Sequence, residues 1–522
     1  MQNTPQKIHS QYVKGCDFKS ALGAKGMFEQ NKINERFYIG DQWYGAKCGN
    51  DRPLVRHNVI KRIADYKIST VLNNPLNVIY SADGVPSVAN EGDSITDLSV
   101  KEINNMMSTF SNYYTVTGER VKINDLNENV MRSAYINGSS VLYTYWDSTI
   151  PTGQFADNNH TTKIKGDICC EVLSIENVVF ADPYIDNLQK QPYIIISSCK
   201  NLNEVLHEAR IFGASITTLT NIEAASRDGK VTVYTKLYKT FSEKDGYRIK
   251  GIKVTENAVV RQEFDTRLTL YPLSIFSWNK KNSLIYGESE ITYLIPNQIA
   301  INRMITANVW ASMSGGIPIM LVNGDSVNGE ITNEPGQIIK VFGSNEDVAG
   351  AVKYVTPPTV TKDFDESINT LIENTLSQSG ANEVALGDSK AENASALNTM
   401  RNASLMPLQI IKNRFYSFIE DTARIWVDFW LGYYGKRNLK VVTKSGTEYI
   451  SFNAADFKEL VINAKVDITP SANLTERERA DLLITLFEKG IINRNELLCR
   501  MPGGMIANVN ELITNTPKGE KP

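Results

Sequence analysis

The chain has 522 residues, a formal net charge of −3, and 42% hydrophobic and 22% charged residues. It is too long for one compact core, so we expect about two to four subdomains of an ordinary folded protein. The near-neutral charge argues against a conventional nucleic-acid binder, because tight binding to phosphates needs many cations and no basic domain stands out. Any contact with DNA is therefore expected to be weak, local or transient.

The six cysteines are typical of an intracellular protein. They form no Cys-x-x-Cys pair and no ligand set with histidine, so neither a disulfide framework nor a zinc site is expected. Cys169 and Cys170 lie in a strand-like run and are predicted to be buried free thiols. No apolar run approaches the length of a membrane span, and the N-terminus lacks a signal-peptide core. The sequence thus predicts a soluble protein made in a cytoplasm, with no membrane partner.

Helical periodicity dominates the first quarter of the chain. One helix is predicted over residues 27–38, ending at Gly40, and another over residues 57–74, closed by Pro75. Two more are predicted over residues 98–114 and 118–136, the second ending at Asn137-Gly138.

Short strands are predicted next, because β-branched and aromatic runs are bounded by turn residues. They cover residues 139–147, 167–183 and 193–199, and a short helix follows with Asn201 or Asn203 as its cap. Residues 229–262 are predicted to form antiparallel hairpins, with a turn at Asp245-Gly246. The chain up to Trp278 is therefore predicted to be an α+β body.

Two helices that enclose a β-like excursion are the most informative feature of the middle of the chain. The first helix is predicted over residues 287–313, where Pro296 should start or kink it and Gly315-Gly316 end it. The excursion covers 314–357, and the second helix returns over 358–381. One face of the first helix is apolar and the rest is polar. The apolar residues are Leu294, Ile301, Ile305 and Val309, and the polar residues are Asn297, Asn302, Arg303 and Asn308.

A polar loop over residues 382–394 leads into the longest predicted helix, residues 395–435, which Pro407 should bend. Strands are predicted over 438–452 and 459–470, a helix over 474–490, and a disordered polar tail over 514–522. The long helix has apolar residues at helical spacing. These are Ile411, Phe415, Phe418, Thr422, Ile425, Trp426 and Phe429.

The sequence carries none of the usual enzymatic signatures. There is no phosphate-binding GxxxxGK[ST] loop, no HExxH and no GxSxG, so we predict no catalytic residue, no metal site and no cofactor. The four histidines are scattered and form no base–nucleophile pair. They are His9, His57, His160 and His207.

Weaker signals have structural explanations. The acidic group Asp363, Asp365 and Glu366 opens a helix, where negative charge opposes the positive end of the helix dipole. Residues 323–334 resemble a calcium loop only loosely, because Val327 offers no side-chain ligand, and two Asn-Gly turns explain them better. The pairs Trp426/Trp430 and Tyr433/Tyr434 could stack on bases, but packing is the favoured interpretation.

Loop 382–394 has two open interpretations. It is either a solvated connector or a loop that projects into a central passage, where many copies would form a ring of alternating lysines and carboxylates. Such a ring would touch passing DNA without trapping it. The residues predicted to contact DNA are Asn382, Glu383, Asp388, Ser389, Lys390 and Glu392.

Four motifs in order resemble the portal, or head–tail connector, proteins of tailed bacteriophages. YIGDQW (38–43), Arg52-Pro53 and HNVIKRIADYKISTVLNNP (57–75) are similar to the opening helices of the portal wing. NVMRSAYINGSSVLYTYWD (129–147) with FADP (180–183) is similar to the passage from helix to strand in the wing. YGESEITYLIPNQIAINR (286–303) resembles the entry into the first stem helix, and LLITLFEKGIINRNELLCRMPG (482–503) resembles late portal helices.

The resemblance implies an α+β portal-type fold in a ring, usually dodecameric, at one vertex of the capsid. Its parts would be the wing (1–286), the first stem helix (287–313), a β-containing clip (314–357), the second stem helix (358–381), the tunnel loop (382–394), the long kinked wing helix (395–435), a strand segment of wing or crown (436–470), and crown helices with the tail (471–522).

The resemblance also implies the partners. They are further copies of this chain, double-stranded DNA passing through the channel, the large terminase, head-completion adaptors, and the major capsid and scaffolding proteins. The protein would be assembled in the host cytoplasm and located in the virion. The clip residues expected to meet terminase and adaptors are Asn323, Asp325, Asn328, Glu330 and Lys340.

Two other function classes remain open. Another virion structural protein, such as a minor capsid or adaptor component, would lack the two-helix column and would not form a ring with a through-channel. A cytoplasmic enzyme with a diffuse site would show a histidine or carboxylate pocket. Negative-stain images of the purified protein distinguish all three.

Overall fold

The computed structural model describes residues 3–45, 53–73, 76–83, 100–155, 163–243, 246–315, 319–322, 327–328, 340–341, 352–355, 362–381, 406–443, 446–453, 461–467, 476–491 and 497. Its helices and antiparallel sheets confirm the predicted α+β class. Two compact units are present, and each joins distant parts of the chain. Unit 1 contains Met1–Leu72 and Val116–Leu460, and unit 2 contains Asn73–Thr115 and Val461–Pro522.

The described helices, in chain order, are α1 (Pro5–Ser20), α2 (Met27–Ile39), α3 (Val59–Leu72), α4 (Val100–Val121), α5 (Ile123–Asn137), α6 (Leu202–Ile211), α7 (Ile216–Ala224), α8 (Ile291–Gly315), α9 (Lys362–Ser379), α10 (Leu408–Tyr433) and α11 (Glu476–Glu488). None of these helices is long and apolar enough to cross a membrane.

The described strands are β1 (Asn77–Asp83), β2 (Ser139–Phe155), β3 (Lys163–Ser174), β4 (Val178–Phe180), β5 (Tyr193–Asn201), β6 (Lys230–Ser242), β7 (Gly246–Val254), β8 (Val259–Asp265), β9 (Leu273–Ser277), β10 (Ile319–Val322), β11 (Val327–Asn328), β12 (Lys340–Val341), β13 (Val352–Val355), β14 (Lys436–Thr443), β15 (Gly446–Asn453) and β16 (Val461–Asp467).

The helix ends follow local chain chemistry. Helix α2 ends at Gly40 as predicted, and this glycine has a left-handed φ of 91°. The predicted gap between the helices at residues 115–117 is wrong, because α4 continues to Val121. The break between the two helices is at Lys122, whose φ is 55°. Gly118 lies inside α4, and its lack of a side chain leaves room for Ile123. An added Cβ would lie 3.1 Å from Ile123 Cγ2.

Unit 1 contains a five-stranded antiparallel sheet of order β4-β5-β6-β7-β8 with helices on both faces. Val231 and Val233 of β6 pack under α6 and α7, whereas Tyr234 packs under α1. This alternation is the period of a strand with two buried faces. The predicted hairpins are confirmed, and the residue that precedes the predicted short helix is Asn201.

Helix α1 was not predicted, and it packs closely on the sheet. Ile8 of α1 is fully buried against Val179 and Ile195. A Cβ atom on Gly15 would lie 2.1 Å from Val179 Cγ1, so a side chain here would separate helix and sheet. Only one apolar residue of α1, Ile8, is fully buried, and the other buried residue is Lys19, which is why the apolar periodicity of α1 is weak.

A buried lysine fastens the end of α1. Lys19 is fully buried, and its ammonium group donates to the carbonyl oxygens of Ile175, Glu176 and Val178 at 2.7, 2.9 and 2.7 Å. The charge is thus compensated by three carbonyl dipoles, an arrangement that makes its burial tolerable. Lys19 was not identified from the sequence, since its partners lie far along the chain.

We expect Lys19 to make the free energy of unfolding rise with pH above neutrality. Burial lowers the pKa of Lys19 from 10.5 to about 7, while nearby Cys16 and Glu176 oppose that shift. Between about pH 7 and pH 10.5, the unfolded chain binds more protons at Lys19 than the folded chain does. The contribution of Lys19 to the free energy of unfolding therefore increases with pH. Urea unfolding of wild type and Lys19→Met at about pH 7, 8 and 9 should give a flatter profile for the variant. Parallel profiles would contradict the assignment.

A three-stranded sheet of order β3-β2-β9 packs against α10. Phe276 on β9 contacts Phe415 and Phe418 with ring centroids 5.9 and 6.0 Å apart, and its neighbour Ser274 hydrogen-bonds Thr422 through their hydroxyls at 2.8 Å. The predicted apolar face of the long helix is confirmed, because all seven of its residues are buried.

In the described residues, α10 begins at Leu408, directly after Pro407. Proline is favoured at the start of a helix because its missing N–H has no intrahelical acceptor there. Residues 395–405 of the predicted helix lie outside the described residues.

Unit 2 is built on a strand pair that was not predicted. β1 pairs antiparallel with β16, from Asn77 opposite Asp467 to Asp83 opposite Val461. Tyr80 of β1 is buried against Phe110, with ring centroids 5.9 Å apart. The strand predicted over 438–452 is instead a hairpin of β14 and β15, and the strand predicted over 459–470 is β16.

The described cysteines are free thiols. Cys169 and Cys170 are half-buried, so the prediction of two buried thiols is corrected, and Cys199 is exposed. Cys169 and Cys170 occupy β3, which is paired on one side with β2 and, among the described strands, has no neighbour on the other side.

Candidate functional site

Two antiparallel helices and the short strands between them form the feature predicted from residues 287–381, which we call the column. α8 runs outward, β10 pairs with β13, β11 pairs with β12, and α9 returns. Asn308 in the second half of α8 donates a 2.5 Å hydrogen bond to Asp365 in the first turn of α9. The out-and-back arrangement and the β character of the excursion are thereby confirmed.

The start of α8 is set by Ser289. Its hydroxyl accepts a hydrogen bond from the Ile291 N–H at 3.1 Å and donates to the Tyr135 carbonyl at 2.6 Å. A serine that accepts from the first helical N–H groups is a favourable cap. Pro296 lies inside the helix, so the proposed start at the proline is wrong, and the helix begins at Ile291.

Burial changes along α8. Ile291 and Ile301 are fully buried in the body, whereas Ile305 and Val309 are half-buried and Met313 is 54% exposed. The far part of the column thus keeps apolar side chains at its surface. Contiguous exposed apolar surface on a folded chain is typical of a contact with another protein.

Three polar residues at a spacing of four tie the buried part of α8 to the chain that enters α3; we call Gln298, Asn302 and Thr306 the polar stripe. Gln298 and Asn302 are 1% and 2% exposed. Asn302 was predicted to lie on the polar face of the helix, and its burial follows from the partners that it meets there.

The polar stripe adds hydrogen bonds to backbone groups at the start of α3, where the Val59 N–H also donates to the His57 carbonyl at 2.9 Å. Gln298 Oε1 accepts from the N–H groups of Val59 and Ile60 at 3.0 and 3.3 Å, and Gln298 Nε2 donates to the His57 carbonyl at 2.6 Å. These N–H groups belong to the first turn of α3, which has no intrahelical acceptors for them. Asn302 Oδ1 accepts from His57 N–H at 3.1 Å in the same way.

An ion pair closes the base of the column. Glu290, directly before α8, pairs with Lys67 of α3, and its second oxygen accepts from Trp278 Nε1 at 2.8 Å. The Lys67 and Glu290 side chains are 8% and 15% exposed. Arg414 of α10 donates to the Trp278 carbonyl at 2.7 Å. The base is therefore joined to α3, to the end of β9 and to α10.

Helix α9 has one apolar and one acidic face. Ile368 and Leu376 are buried at 6% and 4% exposure. The carboxylates of Asp365, Glu366 and Glu373 are exposed to solvent. These carboxylates would repel a polyanion that passes close to them.

The structure describes few of the residues predicted to contact DNA or partners. All six tunnel-loop residues lie outside the described residues: Asn382, Glu383, Asp388, Ser389, Lys390 and Glu392. Of the clip residues, Asn323, Asp325 and Glu330 lie outside them as well. Asn328 and Lys340 are placed directly opposite each other on β11 and β12.

The remaining candidate residues are a possible metal cluster, the histidines and the aromatic pairs. No group of three or more His, Cys, Asp or Glu side chains in the described ranges could hold a metal ion. His9 contacts the Tyr234 ring, with centroids 5.3 Å apart. Trp426 and Trp430 are fully buried, so the packing interpretation of these aromatic residues is confirmed.

The polar stripe, the Glu290 ion pair and Lys19 are the residues that sequence reasoning missed. A signal for the stripe did exist, since Gln298, Asn302 and Thr306 recur at helical spacing beside an apolar face. No protein-family model and no curated protein sequence matches this chain.

Proposed function

We propose that the chain is a subunit of a portal-type ring at a capsid vertex, through which viral DNA enters and leaves. The observation that supports this proposal best is the column, which is firmly anchored at its base and apolar at its surface farther out. The motif resemblance to portal proteins points in the same direction.

Self-association explains the exposed apolar residues. Two helices that stand together bury little apolar surface, and helices in proteins depend on tertiary packing for most of their stability. Identical neighbours around a closed axis would cover the half-buried Ile305 and Val309 and the exposed Met313 with equivalent contacts. The column would then be stabilised mainly by the assembled ring.

The charges suit a conduit. The formal net charge is −3, so the chain offers little net attraction for DNA. We place the exposed carboxylates Asp365, Glu366 and Glu373 toward the channel, where repulsion from phosphates keeps the duplex free to slide. Binding that released counterions at many phosphates would hold the DNA in place instead.

Each proposed partner is assigned to a part of the subunit. The strands β10 to β13 at its tip would form the clip that meets the large terminase and later the head-completion adaptors. The capsid and scaffolding proteins would surround the ring in the virion. The chain lacks a phosphate-binding loop, which fits a passive channel whose motor is the terminase ATPase.

Electron microscopy tests the proposal directly. Negative-stain images of the purified full chain should show closed rings with a central hole, and sedimentation should give one species several times the monomer mass. A monomer at all concentrations, with no rings, would contradict the proposal. Non-ring assemblies would favour the alternative of a minor capsid or adaptor component.

A charge on the apolar surface of the column should prevent the ring from forming. Met313 is 54% exposed, so Met313→Glu is compatible with the folded monomer but places a carboxylate against the neighbouring copy. Ile216→Glu is the matched control, because Ile216 is 82% exposed on α7. We expect rings with the control and monomers with Met313→Glu. Rings of equal abundance for both variants would show that the column is not part of the interface between subunits.

The tunnel-loop assignment has its own test. We expect Lys390→Ala to leave ring assembly intact but to change how much DNA is packaged or retained, because Lys390 is the single cation of loop 382–394. DNA content per particle, measured beside ring images of the same variant, checks this. Unchanged packaging and retention would remove the assignment.

A further inference from the structure

Strand β9 leaves one edge of its sheet open. The strand order β3-β2-β9 places β9 at the end of the sheet. Trp278 N–H donates to the Gly138 carbonyl at 3.0 Å, and Thr144 N–H donates to the Pro272 carbonyl at 2.9 Å. These bonds identify which backbone groups of β9 face β2, because peptide groups alternate between the two sides of an antiparallel strand.

Three residues therefore direct their backbone groups away from β2. With residues 272 and 278 bonded to β2, the N–H and C=O groups of Leu273, Ile275 and Ser277 point away from β2. Leu273 is 1% exposed, whereas Ile275 and Ser277 are half-buried and line a groove at this edge. Within the described ranges no hydrogen bond reaches these groups. An open edge of this kind is a template for another strand.

A groove of about 570 Å³ runs along this edge. Its apolar lining includes Leu188, Leu270, Ile275, Phe418 and Ile425, which come from three separate parts of unit 1. A volume of this size is in the range that ligand sites in proteins occupy. The groove thus offers apolar contact beside the unpaired backbone groups.

The charges around the groove favour an acidic occupant. Three cations (Lys280, Arg414 and Arg424) and two carboxylates (Asp186 and Asp421) line it, a difference of one positive charge. Lys280 pairs with Asp186 at 2.8 Å and Arg424 with Asp421 at 3.0 Å. Half-buried Arg414 donates to the Trp278 carbonyl, and no described carboxylate pairs with it.

We propose that β9 binds an extended, acidic segment of a second protein, which adds to the sheet as its fourth strand. Main-chain hydrogen bonds to Ile275 and Ser277 would give the affinity, and Arg414 would select a carboxylate on the incoming strand. The repeat of two residues along β9 matches the period of an extended polypeptide. The proposal concerns the body of unit 1 and stands whether or not the column forms a ring.

A blocked heptapeptide that alternates valine and glutamate is the probe, measured by fluorescence polarisation with the full chain. Three comparisons accompany it: the same peptide with N-methyl groups on alternate amides, its valine–lysine counterpart, and the Arg414→Gln variant, which retains a donor for the Trp278 carbonyl. A fourth is Ile275→Pro, which removes an outward N–H but none of the bonds to β2.

We expect saturable binding of the acidic peptide that weakens by at least about tenfold on N-methylation or with Ile275→Pro. Arg414→Gln should reduce the preference for glutamate over lysine. Equal binding of methylated and unmethylated peptides would overturn strand addition, and so would the absence of saturable binding. If Ile275→Pro abolished self-association of the chain, the occupant would be a second copy, which would overturn the proposed partner.

Discussion

Glu290→Ala should lower the free energy of unfolding by about 3–5 kcal/mol, the usual effect of removing one member of a buried ion pair. Lys67 would retain a charge at 8% side-chain exposure with its partner removed, and Trp278 Nε1 would lose the carboxylate that accepts from it at 2.8 Å. Because Glu290 directly precedes α8, the loss should also loosen the base of the column. Urea unfolding followed by tryptophan fluorescence measures the effect.

Glu128→Ala is the matched control for this prediction. Glu128 also pairs with a cation, Arg132, but the two side chains are 50% and 44% exposed. Water screens such a pair, so its loss should change stability by less than about 1 kcal/mol. Similar effects of the two substitutions would show that the Glu290 pair is solvated in solution and does not anchor the column.

Gln298→Leu should lower the free energy of unfolding by about 1–3 kcal/mol, because it removes the acceptor of the Ile60 N–H and one of the two bonds at the Val59 N–H and at the His57 carbonyl. The N–H groups of Val59 and Ile60 and the carbonyl of His57 all bond to this one amide. Leucine fills a similar volume, so the effect would come from lost hydrogen bonds and not from a cavity. Amide hydrogen exchange at Val59 and Ile60 should accelerate more than exchange in the middle of α3.

Gln378→Leu provides the comparison, since Gln378 lies on the exposed side of α9. Exposed substitutions of this kind usually change stability by less than about 0.5 kcal/mol. If Gln298→Leu were equally mild, the polar stripe would be a consequence of the packing of α8 on α3 and not one of its causes.

Local patterns in the sequence predicted a large part of the fold correctly. Glycines at positions 40 and 138 end α2 and α5 because both adopt a positive φ, and the buried face of α10 follows from its helical period. The column was predictable for the same reason, since two periodic segments flank a run of β-branched residues and turns. Of the two alternatives predicted for Pro296, a start at the proline is wrong, because α8 begins at Ile291, whose N–H bonds the Ser289 hydroxyl.

Other parts of the structure could not be read from local patterns. The partner of β16 is β1, which lies near the opposite end of the chain, so no pattern within either segment specifies the pair. The side chains that hold α1 and α8 in place also depend on partners far away in the sequence. Lys19 meets carbonyls beyond residue 174, and Gln298 meets N–H groups before residue 61. In the sequence alone, each of these polar side chains looks like a surface residue, because its buried partner is not visible there.

By itself, the sequence determined the α+β class, most element types, and the order of helix, strands and helix that defines the column. Those properties depend on caps, turns and periodicity, which act over a few residues. The tertiary structure alone decided which strands pair across the chain, which polar side chains are buried, and which edge of the β3-β2-β9 sheet stays open. These depend on contacts between segments far apart in sequence, where the free energy of burial and hydrogen bonding selects one arrangement among many.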